Sequence, residues 1–404
     1  MRLPALAVAI IVAAALGGGA ALGIGKGAGW LDQGAKTVVV RAQGAQPVAL
    51  PASATSKVSP LPGKGFDPER IFADRSPGVV TIFAYFGDLG PSTQISQGSG
   101  FVISPKGFVL TNSHVITNAG EGSRVQAAAH LFVEFADGDR VEAKVVGWDL
   151  YDDVGLLRLD PNAHRLSPVP LGGSASVVVG EPVAAIGSPL GNENTLTVGV
   201  VSAIHRSIDA LTVRLYNIVD AIQTDAPITH GNSGGPLFDA RGRVIGINAQ
   251  IRSANGTGND SGIGFAVPID AAKFSVAQLI AKGEVTYAYV GITTETLTPS
   301  LARALGYKVD HGALIVTVKG GSPADAAGLR GGIRDANVLG RTVQTGGDVI
   351  VAIDGKPVNG ADDVVRFVSF SLRPKDVAVL TIVKPGGQRK KVAVTLAERR
   401  LPAG

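Results

Sequence analysis

Ser233 lies in the run Gly231-Asn232-Ser233-Gly234-Gly235-Pro236-Leu237. Glycines around the serine leave its hydroxyl approachable and let nearby backbone N–H groups point at whatever it attacks. A serine hydroxyl is a poor nucleophile at neutral pH and needs a neighbouring base to take its proton. His114, in Leu110-Thr111-Asn112-Ser113-His114-Val115-Ile116, is the candidate base. Asp153, at the start of Asp153-Val154-Gly155-Leu156-Leu157, is the candidate carboxylate that holds the imidazole in one tautomer. The turn from Gly231 through Asn232 to Ser233 is the candidate oxyanion hole, with the Gly231 and Ser233 amides as donors. Losing one such donor costs about 3–4 kcal/mol of barrier stabilisation. Each residue also has an ordinary reading: a Gly-Pro turn, a histidine after a strand, a turn aspartate. Asp152 competes with Asp153; Asp153 is preferred because it directly abuts the apolar run, and Asp152 then reads as solvated.

The surrounding pattern supplies short strands to hold these groups. Gly98-Ser99-Gly100 leads into Phe101 to Ile103, and Pro105-Lys106-Gly107 turns the chain into Phe108 to Leu110, so a hairpin ends at the histidine. Further apolar runs occur at Val79 to Phe83, Leu131 to Phe135, Val141 to Val146, Val183 to Ile186 and Val244 to Ile247. Asp137-Gly138 separates two of them as a hairpin signal. Many short strands at close spacing predict a sandwich or barrel, not βαβ units. The chain order His, Asp, Ser is that of the chymotrypsin-type double barrel; the α/β-hydrolases run Ser, Asp, His and the subtilisins Asp, His, Ser. Helical spacing over Pro268 to Lys282 closes this region, and 254–262 is a polar loop.

The last third changes character. Ser322-Pro323-Ala324-Asp325 is a helix start with Ser as cap and Pro at the first helical position, and Gly328 stops it. Asp348 to Gly355 is a strand into a turn, Asp362 to Phe370 a second helix, and Pro385-Gly386-Gly387 joins two final strands.

Taken together, Thr111 to Val115, Asp153 to Leu157 and Gly231 to Leu237 resemble the HtrA/DegP family of trypsin-like serine proteases. Ala185 to Gly191 with Thr197 to Ser202, and Gly262 to Pro268, are similar to further family signatures, and the resemblance covers roughly residues 70–400. It implies a mainly β chain: a chymotrypsin-like double β-barrel over residues 66–283, then a small α+β PDZ domain over 284–400. It implies a substrate pocket from Pro227, Ile247, Asn248 and Ala249, and a carboxylate-binding loop at Tyr289-Val290-Gly291-Ile292. It also implies a homotrimer. Three departures are visible. Thr229-His230 stand where the family usually has Asn-Pro, Gly155 replaces a common alanine and Ser188 a common asparagine. Only the first touches the site: His230 either alters the oxyanion loop or is an exposed loop residue.

Bulk properties narrow the rest. The chain has 404 residues, 54 glycines and 45% hydrophobic content, as suits a β-rich body with many turns. A net charge of +4 without basic-aromatic clusters is too small to imply a nucleic-acid partner, and none is expected. Cysteine is absent, and the 6 histidines show no metal-binding spacing, so neither a cofactor nor a metal is expected. No charge appears from Leu3 to Gly25, so residues 1–26 read as a signal peptide or membrane anchor and 27–65 as a Pro-containing linker. The expectation is an exported, periplasmic or otherwise extracytoplasmic endopeptidase, anchored if the segment is uncleaved. Its partners would be unfolded or misfolded proteins and, at the PDZ domain, peptide C-termini. The competing expectation is a chaperone-like binding protein with little proteolysis.

Overall fold

The computed structural model describes residues 65–90, 93–119, 125–188, 194–209, 212, 217–229, 231–249 and 263–399. The apolar N-terminal segment, the linker up to residue 64, His230 and the 254–262 loop lie outside these residues.

After helix α1 (Pro68–Arg75), short strands close into two six-stranded barrels. The first contains β1 (Val79–Phe86), β2 (Gln94–Val102), β3 (Phe108–Thr111), β4 (His130–Glu134), β5 (Arg140–Asp149) and β6 (Val154–Leu159), in the order β1-β2-β3-β6-β5-β4. One helical turn, α2 (Ser113–Ile116), follows β3. The second contains β7 (Pro182–Gly187), β8 (Thr195–Asp209), β9 (Asn217–Thr224), β10 (Pro236–Phe238), β11 (Val244–Ala249) and β12 (Gly264–Pro268), in the order β10-β11-β12-β9-β8-β7. The expected double barrel is therefore observed.

Strand alternation decides which side chain goes where. In β1, Val80 and Ile82 fill the first barrel, while Val79 faces a second apolar cluster. That cluster also takes Phe101, Leu110 and Leu156 from the first barrel, and Ile186, Phe238 and Ile247 from the second. One continuous apolar layer thus joins the barrels. Strands β10, β11 and β12 are buried throughout because both their faces are covered. Helix α3 (Ile269–Lys282) adds Ile269, Ala272 and Leu279 to the layer and stops at Gly283, whose φ of 77° favours glycine. Gly147 in β5 admits this helix end: a Cβ there would lie 2.4 Å from the Gly283 carbonyl oxygen.

Beyond α3 the chain forms a small α+β domain. It contains β13 (Ala288–Tyr289), β14 (Ile292–Leu297), α4 (Pro299–Leu305), β15 (Gly312–Val318), α5 (Pro323–Ala326), β16 (Arg334–Val338), β17 (Arg341–Thr345), β18 (Val349–Ile353), β19 (Lys356–Pro357), α6 (Ala361–Arg366), β20 (Val377–Val383), β21 (Arg389–Thr395) and β22 (Ala397–Glu398). The main sheet runs β14-β15-β18-β20-β21, so β14 is an edge strand, with α6 packed beside it. Ser322 caps α5 as its sequence predicts, through Asp325 N–H to Ser322 Oγ at 3.3 Å. The predicted helix over Asp362 to Phe370 is α6 followed by a wider π turn at Phe367–Ser371.

Candidate active site

Strand pairing brings His114 and Asp153 together across 39 positions of sequence. β3 and β6 pair antiparallel, with Thr111 opposite Gly155, so the end of one strand meets the start of the other. There His114 Nδ1 lies 2.7 Å from Asp153 Oδ2. The other carboxylate oxygen, Oδ1, accepts the Ser113 hydroxyl at 2.8 Å and the His114 backbone N–H at 3.0 Å. The Asn112 side-chain amide donates to the Asp153 carbonyl at 2.8 Å. Asp153 takes a φ of 52°, a left-handed conformation that aspartate tolerates better than most residues. Every polar atom of its side chain is occupied, so the carboxylate has one orientation. Its neighbour requires a proton at Nδ1, which leaves Nε2 of the neutral ring as the acceptor.

Burial of the His114 ring opposes its charged form. The Asp153 charge and hydrogen bond outweigh this and raise the pKa above its usual 6.5. A neutral ring is required to accept a proton, so activity through His114 should fall as pH drops, with a midpoint above 6.5. A kcat/KM profile on a fluorogenic peptide measures this; an acid limb centred at or below the ordinary histidine value would contradict it.

The serine arrives from the other barrel. Ser233, 5% exposed, sits in the turn before β10. Ser99 of β2 stitches this turn to the first barrel. Its N–H donates to the Ser233 carbonyl at 2.8 Å, its hydroxyl donates to the Gly231 carbonyl at 2.5 Å, and it accepts the Ser188 N–H at 2.8 Å. Thr111 Oγ1, three residues before His114, donates to the Ser99 carbonyl at 2.7 Å. Close approach makes glycine necessary at 234: a Cβ there would lie 2.1 Å from the Ser99 oxygen and 2.3 Å from Thr111 Oγ1, and φ is +86°. Gly98 likewise lies between Val115, the neighbour of His114, and the Ser233 carbonyl. From the second barrel, Gly234 N–H donates to the Asn248 carbonyl at 2.9 Å and Asn248 N–H to the Gly235 carbonyl at 2.8 Å. The nucleophile turn is therefore clamped from both sides.

The Asn232 N–H, the middle amide of the candidate oxyanion turn, donates to the Thr229 carbonyl at 3.0 Å, which leaves the Gly231 and Ser233 amides as the candidate donors. One sequence expectation needs correction. Asp152 is not solvated: it is 5% exposed and meets the Tyr287 hydroxyl at 2.7 Å. The expected pocket residues divide. Pro227 is exposed, while Ile247, Asn248 and Ala249 are buried strand residues behind the nucleophile turn. Asp225 holds the Val200 N–H at 2.7 Å. Tyr289-Val290-Gly291-Ile292 lead directly into the edge strand β14; Gly291 has φ +88° and approaches Ser322 too closely for a Cβ. The supporting residues Ser99, Asn112, Ser113 and Tyr287 were not singled out by sequence reasoning. Ser99, Asn112 and Ser113 stand inside the quoted motifs, where their small polar side chains are the only signal. Among the described residues, no cluster of His, Asp or Glu is arranged to hold a metal ion.

The family models for a trypsin-like peptidase domain and for a PDZ domain match residues 98–247 and 288–396. The chain is 38% identical over 335 residues to Protease Do-like 1, chloroplastic, of Arabidopsis thaliana, covering 81% of this chain and 71% of that protein. It is 38% identical over 301 residues to a probable periplasmic serine endoprotease DegP-like of Ectopseudomonas mendocina, covering 74% of this chain. It spans only 56% of that relative's length. Among solved structures, HtrA-type protease AlgW with tripeptide aligns at a TM-score of 0.67 and 30% identity, covering 84% of this chain and 99% of that one.

Proposed function

Because the chain belongs to the HtrA/DegP family of trypsin-like serine proteases with a PDZ domain, we propose that it is a serine endopeptidase that degrades unfolded or misfolded proteins outside the cytoplasm. The observation that carries this reading is the His114–Asp153 contact at 2.7 Å beside a serine turn tied to both barrels. In the proposed reaction Ser233 Oγ attacks the scissile carbonyl while His114 Nε2 takes its proton. The Gly231 and Ser233 amides receive the developing oxyanion, and His114 then protonates the leaving amine. Asp153 stabilises the imidazolium and is not itself protonated. Water attacks the acyl-enzyme by the same base and releases the second product.

Specificity follows from the same region. Pro227 brings no charge to the pocket, and Asp225 is engaged by a backbone amide, so cleavage after small or medium aliphatic residues is expected. The edge strand β14 beside α6 suits a peptide that adds a strand, with its terminal carboxylate at Tyr289 to Ile292. Residues 66–283 and 284–400 are proposed as the protease and PDZ domains. Export through residues 1–26, with or without anchoring, accords with the periplasmic names of several relatives. A trimer is proposed on family grounds. The intact set His114, Asp153 and Ser233 favours proteolysis over a holding role alone.

A fluorophosphonate that reacts with activated serines tests the reading. It should label Ser233 alone, found by peptide mass spectrometry, and casein degradation should stop in proportion to labelling. Undiminished degradation after complete labelling would sink the mechanism.

A further inference from the structure

The turn that carries Asp153 buries two more carboxylates that the proposed reaction does not use. Asp149 and Asp152 are 2% and 5% exposed. Both face one hydroxyl, that of Tyr287: its oxygen lies 2.7 Å from Asp152 Oδ2 and in short contact with Asp149 Oδ2. Tyr287 belongs to neither barrel. It follows α3 and immediately precedes β13, the strand that leads to Tyr289 to Ile292. It is fully enclosed: the rings of Tyr151 and Phe274 pack on it at centroid distances of 5.4 and 5.5 Å, and its carbonyl accepts the Arg399 N–H at 2.9 Å.

Counting protons decides how this cluster is held. A phenol has one O–H, and two carboxylates cannot both accept it. One of the two contacts must use a proton carried by a carboxyl group. Burial raises the pKa of Asp149 too, but Asp149 has the richer set of donors and is the carboxylate better held as an anion: Ser275 Oγ donates to its Oδ2 at 2.6 Å, and the Tyr151 N–H to its Oδ1 at 2.9 Å. The phenol therefore donates to Asp149, and Asp152 donates its own proton to the phenol oxygen. The charged groups facing Asp152 are Asp149, Asp153 and Arg399. Burial, then the Asp149 charge, push the Asp152 pKa up to about 7, while Arg399 acts the other way.

We infer that Tyr287, bridging Asp149 and a proton-bearing Asp152, is a positioning residue for Asp153. The clasp fixes the 149–153 turn to the segment entering the C-terminal domain, and so fixes the carboxylate that orients His114. The inference rests on the proposed role of Asp153. Asp152 is its covalent neighbour, so loss of the clasp displaces the carboxylate, and a displacement of about 1 Å costs on the order of 10²-fold in rate. The sign with pH follows. Because the folded-state pKa of Asp152 is raised, its proton stabilises the clasp fully below the ordinary carboxylate value, and the contribution is lost as pH rises through about 7.

Full-length variants test this with two readouts: kcat and KM on a fluorogenic peptide, and hydrogen exchange of amides 150–154 from pH 6 to 8.5, corrected for intrinsic rates. Tyr287→Phe should lower kcat about tenfold or more at little-changed KM and speed exchange in this turn. Asp152→Ala should repeat that loss. Asp152→Asn should restore both readouts, because its amide N–H donates to the phenol oxygen at every pH, and should flatten the pH dependence of exchange. Wild-type kcat and exchange in Tyr287→Phe overturn the inference. So does equal impairment of Asp152→Asn and Asp152→Ala, a comparison that decides the matter even if Tyr287→Phe does not fold. If the wild type shows no Ser233-dependent hydrolysis, the proposed function fails, and the exchange data alone still decide whether the clasp exists.

Discussion

Ser233→Ala is expected to reduce casein hydrolysis by on the order of 10⁵- to 10⁶-fold, with the folded structure retained. The size follows from the division of labour in the site. In the proposed mechanism the hydroxyl forms the acyl bond, and His114 has no other proton to take during attack. His114→Ala should therefore cost about as much, and the double variant little more than either single one, because the two residues act as a unit. Initial rates for the three variants measure this. Losses that multiply in the double variant would mean that serine and histidine work independently, which the proposed mechanism forbids. Stability should change little, since the serine turn is held mainly by backbone groups: Ser233 C=O, Gly234 N–H and Gly235 C=O.

The second large effect is expected from Asp153→Asn, a change of one atom in a fully hydrogen-bonded side chain. At the Oδ1 position two donors converge, the Ser113 hydroxyl and the His114 N–H. The amide of asparagine must therefore place its oxygen there and turn its NH2 toward His114 Nδ1. The ring then accepts at Nδ1 and carries its proton at Nε2, the tautomer that cannot receive the serine proton. An equivalent change in this type of site lowers kcat by about 10⁴-fold, or roughly 5 kcal/mol of barrier. Single-turnover acylation with a chromogenic peptide, together with the melting temperature, distinguishes this from misfolding. A variant with near-normal melting and near-normal acylation would remove Asp153 from the mechanism.

Particular elements show how far the chain could be read in one dimension. The apolar run Val79 to Phe83 and the Asp137-Gly138 turn are local signals, and both match the observed barrel strands. The hairpin of β16 and β17 went unread. Its turn is Leu339-Gly340, both at positive φ, in place of the usual Asn-Gly or Asp-Gly, so the local composition does not announce it. The helix expected through Phe370 changes to a π turn at Phe367, where Val368 enters the domain core and Phe367 packs against it, contacts that the local spacing does not announce. Asp152 looked solvated because its covering group, Tyr287, lies 135 positions away.

The order His114, Asp153, Ser233 and the small residues about each were enough to name the chemistry, because nucleophile, base and orienting acid demand those side chains and little bulk beside them. Which aspartate meets the imidazole, which amide of the Gly231–Ser233 turn folds back on its own chain, and what fastens the serine to the first barrel were settled by tertiary contact. These depend on Ser99, Thr111 and Tyr287 reaching across strands and domains. Hydrogen-bond geometry at under 3 Å between distant segments is a property of the closed barrels, and no local pattern encodes it.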